Sequence, residues 1–331
     1  MLVSVVVPCR NEEKYIESCV NSLFENGFDI TQMEVIVVDG MSSDTTLTKL
    51  QDLQKIYNNL VICQNIKKVT PHALNIGIQE ARGELIMIAS AHSSFELGYI
   101  QVLYEAILKL PDALGVGGIM NTAVKNKTAT SIAIQTILSS KFGVGNAMFR
   151  IGTNNVIKVD TVPFGLYKAD LLKQSGGYDE RLIRNHDIEL SKRLLRKGGS
   201  IYLIPDAKCT YFARESFKEM ASNNFRNGKW NILTVWITKN FSSLSIRHFI
   251  PMVFVLSILL PLIISIFYLP VVFISVLSWV SYFFALVYVA SKMDKKDTSF
   301  SHLLLGFLIL HFAYGLGSLT GILFIPKFAF K

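Results

Sequence analysis

The sequence predicts an α/β domain, with a mostly parallel sheet that carries helices on both faces, followed by an α-helical membrane region. Short β-branched runs alternate with helically spaced apolar residues over the first 89 positions. No Asp, Glu, Lys or Arg occurs at positions 249–291 or 302–325. Half of the 331 residues are hydrophobic and 18% are charged, whereas soluble domains carry about 25% charged residues. This composition excludes a disordered chain and disfavours an ordinary soluble enzyme.

The strands of this sheet are predicted from β-branched runs, and the helices from apolar residues with a period near 3.6. The predicted strands are Val3–Val7, Glu34–Val38, Leu60–Cys63 and Gly83–Ala89. The predicted helices are Asn11–Phe24, a helix capped by Ser43 or Asp44 that runs to Leu53, and Thr70–Ala81. Such alternation indicates parallel strands joined by crossover helices.

Polar residues follow three of the predicted strands, at Arg10–Glu13, Asp39–Gly40 and Ser90–His92. Ligands bind at the carboxyl ends of strands in open α/β sheets, so these residues are candidates for a binding site. No G-x-G-x-x-G follows the first strand, and no G-x-x-x-x-G-K-[ST] occurs. A nucleotide site here would therefore have to use carboxylates and a metal ion.

The uncharged segments predict membrane helices at about 249–269, 271–291 and 302–325, with a turn near Pro270. Residues 181–247 carry 13 basic and 5 acidic side chains, and the loop Lys292–Asp297 is also basic. The positive-inside rule places both on the cytoplasmic side. The third segment could instead be re-entrant. Basic residues next to apolar helices favour anionic lipids rather than nucleic acid as partners.

These features predict three regions: a cytosolic domain over 1–215, an amphipathic juxtamembrane segment over 216–247, and a membrane region over 248–331. The protein is expected in the cell membrane as a multi-pass protein with a cytoplasmic catalytic domain.

Two interpretations of the juxtamembrane segment stay open. Arg226, Lys229 and Trp230 could belong to a ligand-binding site. Alternatively, the segment forms an interfacial helix whose Lys and Arg side chains reach the lipid headgroups. The apolar side of that helix would be Phe217, Met220, Trp230, Leu233, Trp236 and Ile237.

Several motifs resemble glycosyltransferase family 2, which has a Rossmann-like fold called GT-A. Residues 3–16, VSVVVPCRNEEKYI, and 37–46, VVDGMSSDTT, carry the first part of the resemblance. Residues 176–181, GGYDER, and 185–190, NHDIEL, are similar to the family's G-G-F-D-E and E-D-x-D-L elements. The tail 311–317, HFAYGLG, is similar to the succinoglycan-type glucosyltransferase branch.

The resemblance implies inverting, metal-dependent transfer of a sugar from a nucleoside diphosphate, with a UDP-sugar as the expected donor. Asp39 would contact the nucleoside base, and Glu12 or Glu13 would lie by the nucleotide, with the choice between them open. Pro8 and Ser90 are the remaining predicted donor contacts.

The family's D-x-D metal motif stands here as Ser90-Ala91-His92. His92 is the expected ligand of Mn²⁺ or Mg²⁺, and imidazole nitrogen suits Mn²⁺ better because Mg²⁺ prefers oxygen. Ser90 replaces a carboxylate that would help to hold the cation.

Asp187 matches the family's catalytic base, with His186 in place of the usual Glu. Glu189 is expected to pair with a basic neighbour. The residues predicted to bind the acceptor or the diphosphate are Arg184, His186, Arg226, Lys229 and Trp230.

The expected acceptor is a lipid-linked, polyprenyl-diphosphate saccharide in surface polysaccharide biosynthesis. One alternative is a polyprenyl-phosphate sugar synthase, in which Arg184 would bind the acceptor phosphate. Another is a catalytically impaired membrane assembly factor, because Ser90 departs from the motif.

Overall fold

The chain divides into two units in the computed structural model, one formed by residues 1–121 and 148–212 and the other by 122–147 and 213–331. The structure describes residues 2–293 and 296–329, with the backbone alone at 326–329. Residues 294 and 295 of the predicted charged loop lie outside the described residues.

One mixed sheet organises the first unit, in the order β3-β2-β1-β4-β8-β6-β9-β5, with β7 also paired to β9. Its strands are β1 Val3–Cys9, β2 Met33–Asp39, β3 Leu60–Gln64, β4 Leu85–Ile88, β5 Ser93–Phe95, β6 Ala113–Ala123, β7 Ile157–Val159, β8 Leu166–Lys168 and β9 Ser200–Phe212. The four predicted strands, β1 to β4, pair in parallel as expected. The β8 strand pairs antiparallel with β4 and β6, and β5 and β7 pair antiparallel with β9.

Thirteen α-helices lie in the described ranges. They are α1 Ile16–Phe24, α2 Thr46–Ile56, α3 Thr70–Glu80, α4 Tyr99–Lys109, α5 Ala129–Leu138, α6 Lys141–Val144, α7 Met148–Ile151, α8 Ala169–Gln174, α9 His186–Leu195, α10 Phe217–Thr238, α11 Ile250–Ile264, α12 Val272–Lys292 and α13 Phe300–Ala329. The α1 helix starts five residues later than predicted, because Asn11 has a positive φ of 56° and bonds the loop after β2. Its backbone N–H donates to the Ser42 hydroxyl, and its side-chain Oδ1 accepts from the Ser43 N–H.

Helices cover both faces of the sheet, as predicted. Alternate β1 side chains face opposite sides, since side chains in a strand alternate with period two. Val5 and Val7 pack with residues of α1, α2 and α4 on one face. Val6 packs with residues of α3, α8 and α9 on the other. These two apolar layers hold the carboxyl ends of the parallel strands in place.

The second unit is helical and includes residues 122–147, which the predicted boundary at 215 had placed in the first domain. The α5 helix begins with a capping box between Thr128 and Ser131. Its buried Ile134 and Ile137 pack in one cluster with Leu303 of α13 and with residues of α12. This packing explains why the segment belongs with the C-terminal helices.

Two helices in the described ranges are long and apolar enough to cross a membrane, Leu269–Lys292 and Phe300–Ile325. The first predicted membrane segment forms the 15-residue helix α11. At 1.5 Å per residue, α11 is about 22 Å long, which is shorter than the roughly 30 Å hydrocarbon core of a bilayer.

The α10 and α13 helices pack with their backbones in contact. A Cβ atom on Gly228 of α10 would lie 1.9 Å from the Tyr314 carbonyl oxygen, and one on Gly317 of α13 would lie 2.1 Å from the Phe225 carbonyl oxygen. Gly306 faces Phe217 near the start of both helices. The two helices therefore run parallel, at a spacing that requires glycine at the contact points.

Candidate active site

The loop after β2 holds the buried carboxylate of Asp39. Cys9, the last residue of β1, pairs in register with Asp39. The Asp39 side chain is 2% exposed and accepts hydrogen bonds from the Ser42 N–H at 3.0 Å and from the Ser42 hydroxyl. Burial chiefly, and then the nearby carboxylates, raise the pKa of the Cys9 thiol, which therefore stays protonated at neutral pH. Asp39 stabilises the turn after β2, and its contact with a nucleoside base stays a prediction.

The adjacent carboxylates Glu12 and Glu13 have different partners. Glu12 lies 2.8 Å from Nδ1 of His92, and its side chain is 15% exposed. Glu13 accepts from the Thr45 hydroxyl at 2.8 Å and thereby joins the loop after β1 to the start of α2. The geometry thus distinguishes two residues that the sequence left equivalent, and it groups Glu12 with the end of β4.

The His92 ring lies between aromatic side chains near the end of β4. Tyr15 and Tyr211 contact it edge-on, with ring centroids at 5.6 and 6.3 Å. The His92 carbonyl accepts from the Phe212 N–H at 3.2 Å, and the His92 side chain is 38% exposed. Ser90 lies in the same turn, and its carbonyl accepts from the Ser93 N–H at 3.0 Å.

The Glu12–His92 pair fits a metal-binding histidine. A ligating histidine usually donates its second ring N–H to a carboxylate, which fixes the tautomer and the ring orientation. With Nδ1 held by Glu12, the Nε2 lone pair is available for a cation. Within residues 2–293 and 296–329, no three His, Cys, Asp or Glu side chains cluster closely enough to hold a metal ion. These side chains alone would therefore not complete the coordination of a cation at His92.

Asp187 lies in the first turn of α9 and is exposed, with a side-chain exposure of 66%. Its Oδ1 is 3.4 Å from Nε2 of His186. Among the described residues, the buried Nδ1 of His186 has no hydrogen-bond partner, while the His186 ring contacts Tyr178 edge-on at 5.6 Å. Burial, and then the charge of Asp187, raise the pKa of the Tyr178 phenol. The Asp187 carboxylate is therefore open to solvent, and the neighbouring His186 ring packs on the buried Tyr178 ring.

The predicted pairing of Glu189 with a basic neighbour is confirmed. Glu189 is 4% exposed and accepts from Nε of Arg193 at 2.9 Å. The same guanidinium donates to the carbonyl oxygens of Ser175 and of Gly177, the latter at 2.7 Å. This pair fixes the turn before Tyr178 and leaves Asp187 as the exposed carboxylate of this helix start.

The remaining residues predicted to bind the donor or the acceptor are divided between the two units. Pro8 lies within β1 opposite Val38, and Arg184 lies in the loop before α9, partly exposed. Arg226, Lys229 and Trp230 lie on α10 in the second unit.

Part of α10 differs from an interfacial helix. Met220 and Leu233, expected on its lipid-facing side, are 2% and 0% exposed, because α10 packs closely on α13. Trp236 is 44% exposed, as expected for that side. The Nζ atom of Lys229 lies 3.3 Å from the ring centroid of Phe324, so this cation contacts α13.

Three residues near His92 were missed by the sequence analysis. They are Tyr15, Tyr211 and Arg150, whose guanidinium carbon lies 5.5 Å from the Tyr211 ring centroid. Burial lowers the pKa of Arg150. The sequence carries no signal for Arg150, because the four-residue helix α7 that contains it is too short for a hydrophobic period.

Comparison with known sequences gives a family match. The profile of glycosyl transferase family 2 matches residues 4–174. A dolichyl N-acetyl-alpha-D-glucosaminyl phosphate 3-beta-D-2,3-diacetamido-2,3-dideoxy-beta-D-glucuronosyltransferase from Methanococcus voltae is 29% identical over 233 residues, which cover 68% of this chain and 71% of the relative. The succinoglycan biosynthesis protein ExoA of Rhizobium meliloti is 25% identical over 231 residues, covering 68% and 67%.

Comparison with solved structures gives the same fold. The mannosyltransferase PcManGT from Pyrobaculum calidifontis, solved with GDP-Man and Mn²⁺, has a TM-score of 0.59 at 15% identity and covers 98% of this chain and 86% of that one. TarS residues 1–349 from S. aureus have a TM-score of 0.54 at 17% identity, covering 97% and 91%. The expected GT-A fold is confirmed.

Proposed function

Because the chain belongs to glycosyl transferase family 2 and is a glycosyltransferase, we propose that it transfers a sugar, with inversion, from a nucleoside-diphosphate sugar to a lipid-linked saccharide. The product would enter surface polysaccharide assembly. The observation that carries this proposal is the Glu12–His92 pair next to the buried Asp39 loop, at the edge of the sheet where such folds bind ligands.

The donor site is proposed from these residues. Asp39 would bind the nucleoside base, Pro8 and Ser90 would line the donor pocket, and Glu12 would orient His92. A divalent cation bound at His92 would supply positive charge to the leaving diphosphate. The TarS structures with UDP and with UDP-GlcNAc support a UDP-sugar as the donor of this chain.

Asp187 is proposed as the base that takes the proton of the acceptor hydroxyl. A base must come within hydrogen-bond distance of the proton that it removes, and the 66% exposure of Asp187 allows that approach. His186, 3.4 Å away, would hold the carboxylate in place, and Arg184 would bind acceptor phosphate.

The acceptor is proposed from the second unit and from the relatives. The Methanococcus voltae relative is named for an acceptor on dolichyl phosphate. Leu269–Lys292 is apolar, and only 11% of its apolar 18-residue window is buried, which supports contact with membrane lipids. A cytoplasmic catalytic unit would then meet the reactive end of a polyprenyl-linked saccharide at the membrane, where Arg226, Lys229 and Trp230 would contact its phosphate or sugar.

A donor and acceptor screen on protein reconstituted in vesicles tests the proposal. Nucleoside diphosphate release identifies the donor, and mass analysis identifies the product. Transfer to a polyprenyl-diphosphate saccharide supports the proposal, whereas transfer to bare polyprenyl phosphate establishes the synthase alternative. Asp187→Asn should lower turnover about 10²-fold or more with donor affinity unchanged. A variant that keeps more than roughly a third of wild-type turnover would exclude Asp187 as the base.

A further inference from the structure

The side chain of Asn75, on α3, holds both polar backbone groups of Tyr178. Its Nδ2 donates to the Tyr178 carbonyl at 2.9 Å, and its Oδ1 accepts from the Tyr178 N–H at 2.8 Å. The two residues are 103 positions apart. The Asn75 amide thus satisfies both the N–H and the C=O group of Tyr178, as a neighbouring strand would, and thereby fixes the Tyr178 backbone.

This contact depends on a glycine immediately before Tyr178. A Cβ atom on Gly177 would lie 2.4 Å from Oδ1 of Asn75, and Gly177 has a φ of 66°. A larger residue would displace the amide and would be strained in this conformation. The approach of α3 to this turn is therefore specific to the Asn75–Gly177 pair.

Tyr178 connects the amide to the proposed base. The Tyr178 ring is 4% exposed and contacts His186 edge-on at 5.6 Å. His186 precedes Asp187 and lies 3.4 Å from its carboxylate. A shift of the Tyr178 backbone would move the ring that contacts His186, and His186 is the neighbour of the Asp187 carboxylate.

A second contact of the Asn75 side chain connects it with the loop after β3, which bonds Asp39 of the proposed donor site. Its Nδ2 also donates to Oε1 of Glu180 at 3.1 Å, and Glu180 pairs with Lys67 at 3.1 Å. Lys67 lies in the loop after β3, where the Asn65 N–H donates to the Asp39 carbonyl at 2.7 Å. Contacts of the Asn75 side chain therefore connect the loop after β3, which bonds the Asp39 backbone, with the turn that precedes α9 and Asp187.

We propose that Asn75 is a positioning residue, whose amide fixes the Gly177–Glu180 turn so that Asp187 is held for proton removal from the acceptor. This inference rests on the proposed role of Asp187. Asn75 touches neither substrate. Misplacement of a catalytic group by about 1 Å can cost 10²-fold in rate, so loss of the amide should lower kcat while donor affinity is retained.

A double-mutant cycle tests this inference on the full-length protein in vesicles. Asn75→Ala should lower kcat for transfer at least about tenfold, with the Kd for nucleoside diphosphate within about twofold of wild type. In an Asp187→Asn background, the same change should lower kcat by less than about twofold, because residues that act as one unit are non-additive.

Asn26→Ala is the matched control. The Asn26 amide makes the same kind of contact, donating to the Glu96 carbonyl at 2.6 Å and accepting from the Ile100 N–H at 2.8 Å. It lies beyond the far end of α1 from Glu12 and is 1% exposed. Asn26→Ala should lower the Tm at least as much as Asn75→Ala, with kcat per folded protein unchanged in both backgrounds.

The outcomes separate the inference from the proposed function. An equal loss of kcat from Asn75→Ala in both backgrounds, or a loss no larger than in Asn26→Ala, overturns the positioning role. Turnover above roughly a third of the wild-type value in Asp187→Asn alone refutes the proposed base instead. Should Asn75→Ala fail to fold, Asn75→Asp enters the same cycle, since it keeps the volume and the acceptor atom and removes the donor to the Tyr178 carbonyl.

Discussion

Glu12→Gln should weaken the binding of Mn²⁺ to the protein. The change keeps the shape of the side chain and removes the negative charge 2.8 Å from Nδ1 of His92. Loss of a carboxylate that orients a metal-binding histidine costs about 10- to 100-fold in affinity. The His92 side chain is 38% exposed, so solvent screens the pair and the lower end applies. We expect about a tenfold loss, or about 1.4 kcal/mol.

The assay follows free Mn²⁺ by electron paramagnetic resonance while protein is titrated in the presence of nucleoside diphosphate. Glu13→Gln is the matched control, because Glu13 is the next carboxylate in the chain but bonds Thr45 instead of a histidine. It should bind Mn²⁺ as the wild type does. Unchanged affinity in Glu12→Gln, or an equal loss in both variants, would refute the assignment of His92 as an oriented ligand.

Two further predictions concern the donor and the membrane. Asp39→Ala should reduce donor binding measured by calorimetry at least about tenfold, because a buried polar partner of the base is lost. Asp44→Ala, which removes a carboxylate that accepts from the Thr46 N–H in the same loop, should reduce donor binding much less. Equal losses in the two variants would mean that Asp39 only supports the loop. A topology reporter after Lys296 should be cytoplasmic, and one after Tyr268 external; a cytoplasmic signal from both would indicate a hairpin that enters the membrane without crossing it.

The parallel half of the sheet could be predicted because the sequence pattern of each of its strands and helices lies within a short stretch of chain. β1 to β4 are apolar runs bounded by polar loops, and their crossover helices show a clear period. The antiparallel half depends on pairings between distant segments, such as Ile86 with Tyr167. Short strands like β8, with three residues, carry no periodic signal of their own.

The candidate site divides in a similar way. Asp39 and His92 could be chosen because they lie in polar segments that directly follow predicted strands. The choice between Glu12 and Glu13 could not be made, because the direction of each side chain is set by the loop that Asn11 forms at a φ of 56°. Asn75 could not be found, since its role depends on Gly177, about a hundred residues later in the chain.

The α10–α13 contact has a consequence for the order of events during synthesis. The glycines of α13 that contact α10 lie at 306, 317 and 321. About 80 further residues must therefore be synthesised after α10 before this contact surface is complete. At 5 to 20 residues per second, this wait is on the order of 4 to 16 s. During that time the helix exposes a seam of Asn224, Gly228 and Asn231, which are buried in the finished protein. The two asparagine side chains carry polar groups that need hydrogen-bond partners once they leave water, so this face of α10 reaches its final, buried environment only when α13 has been made.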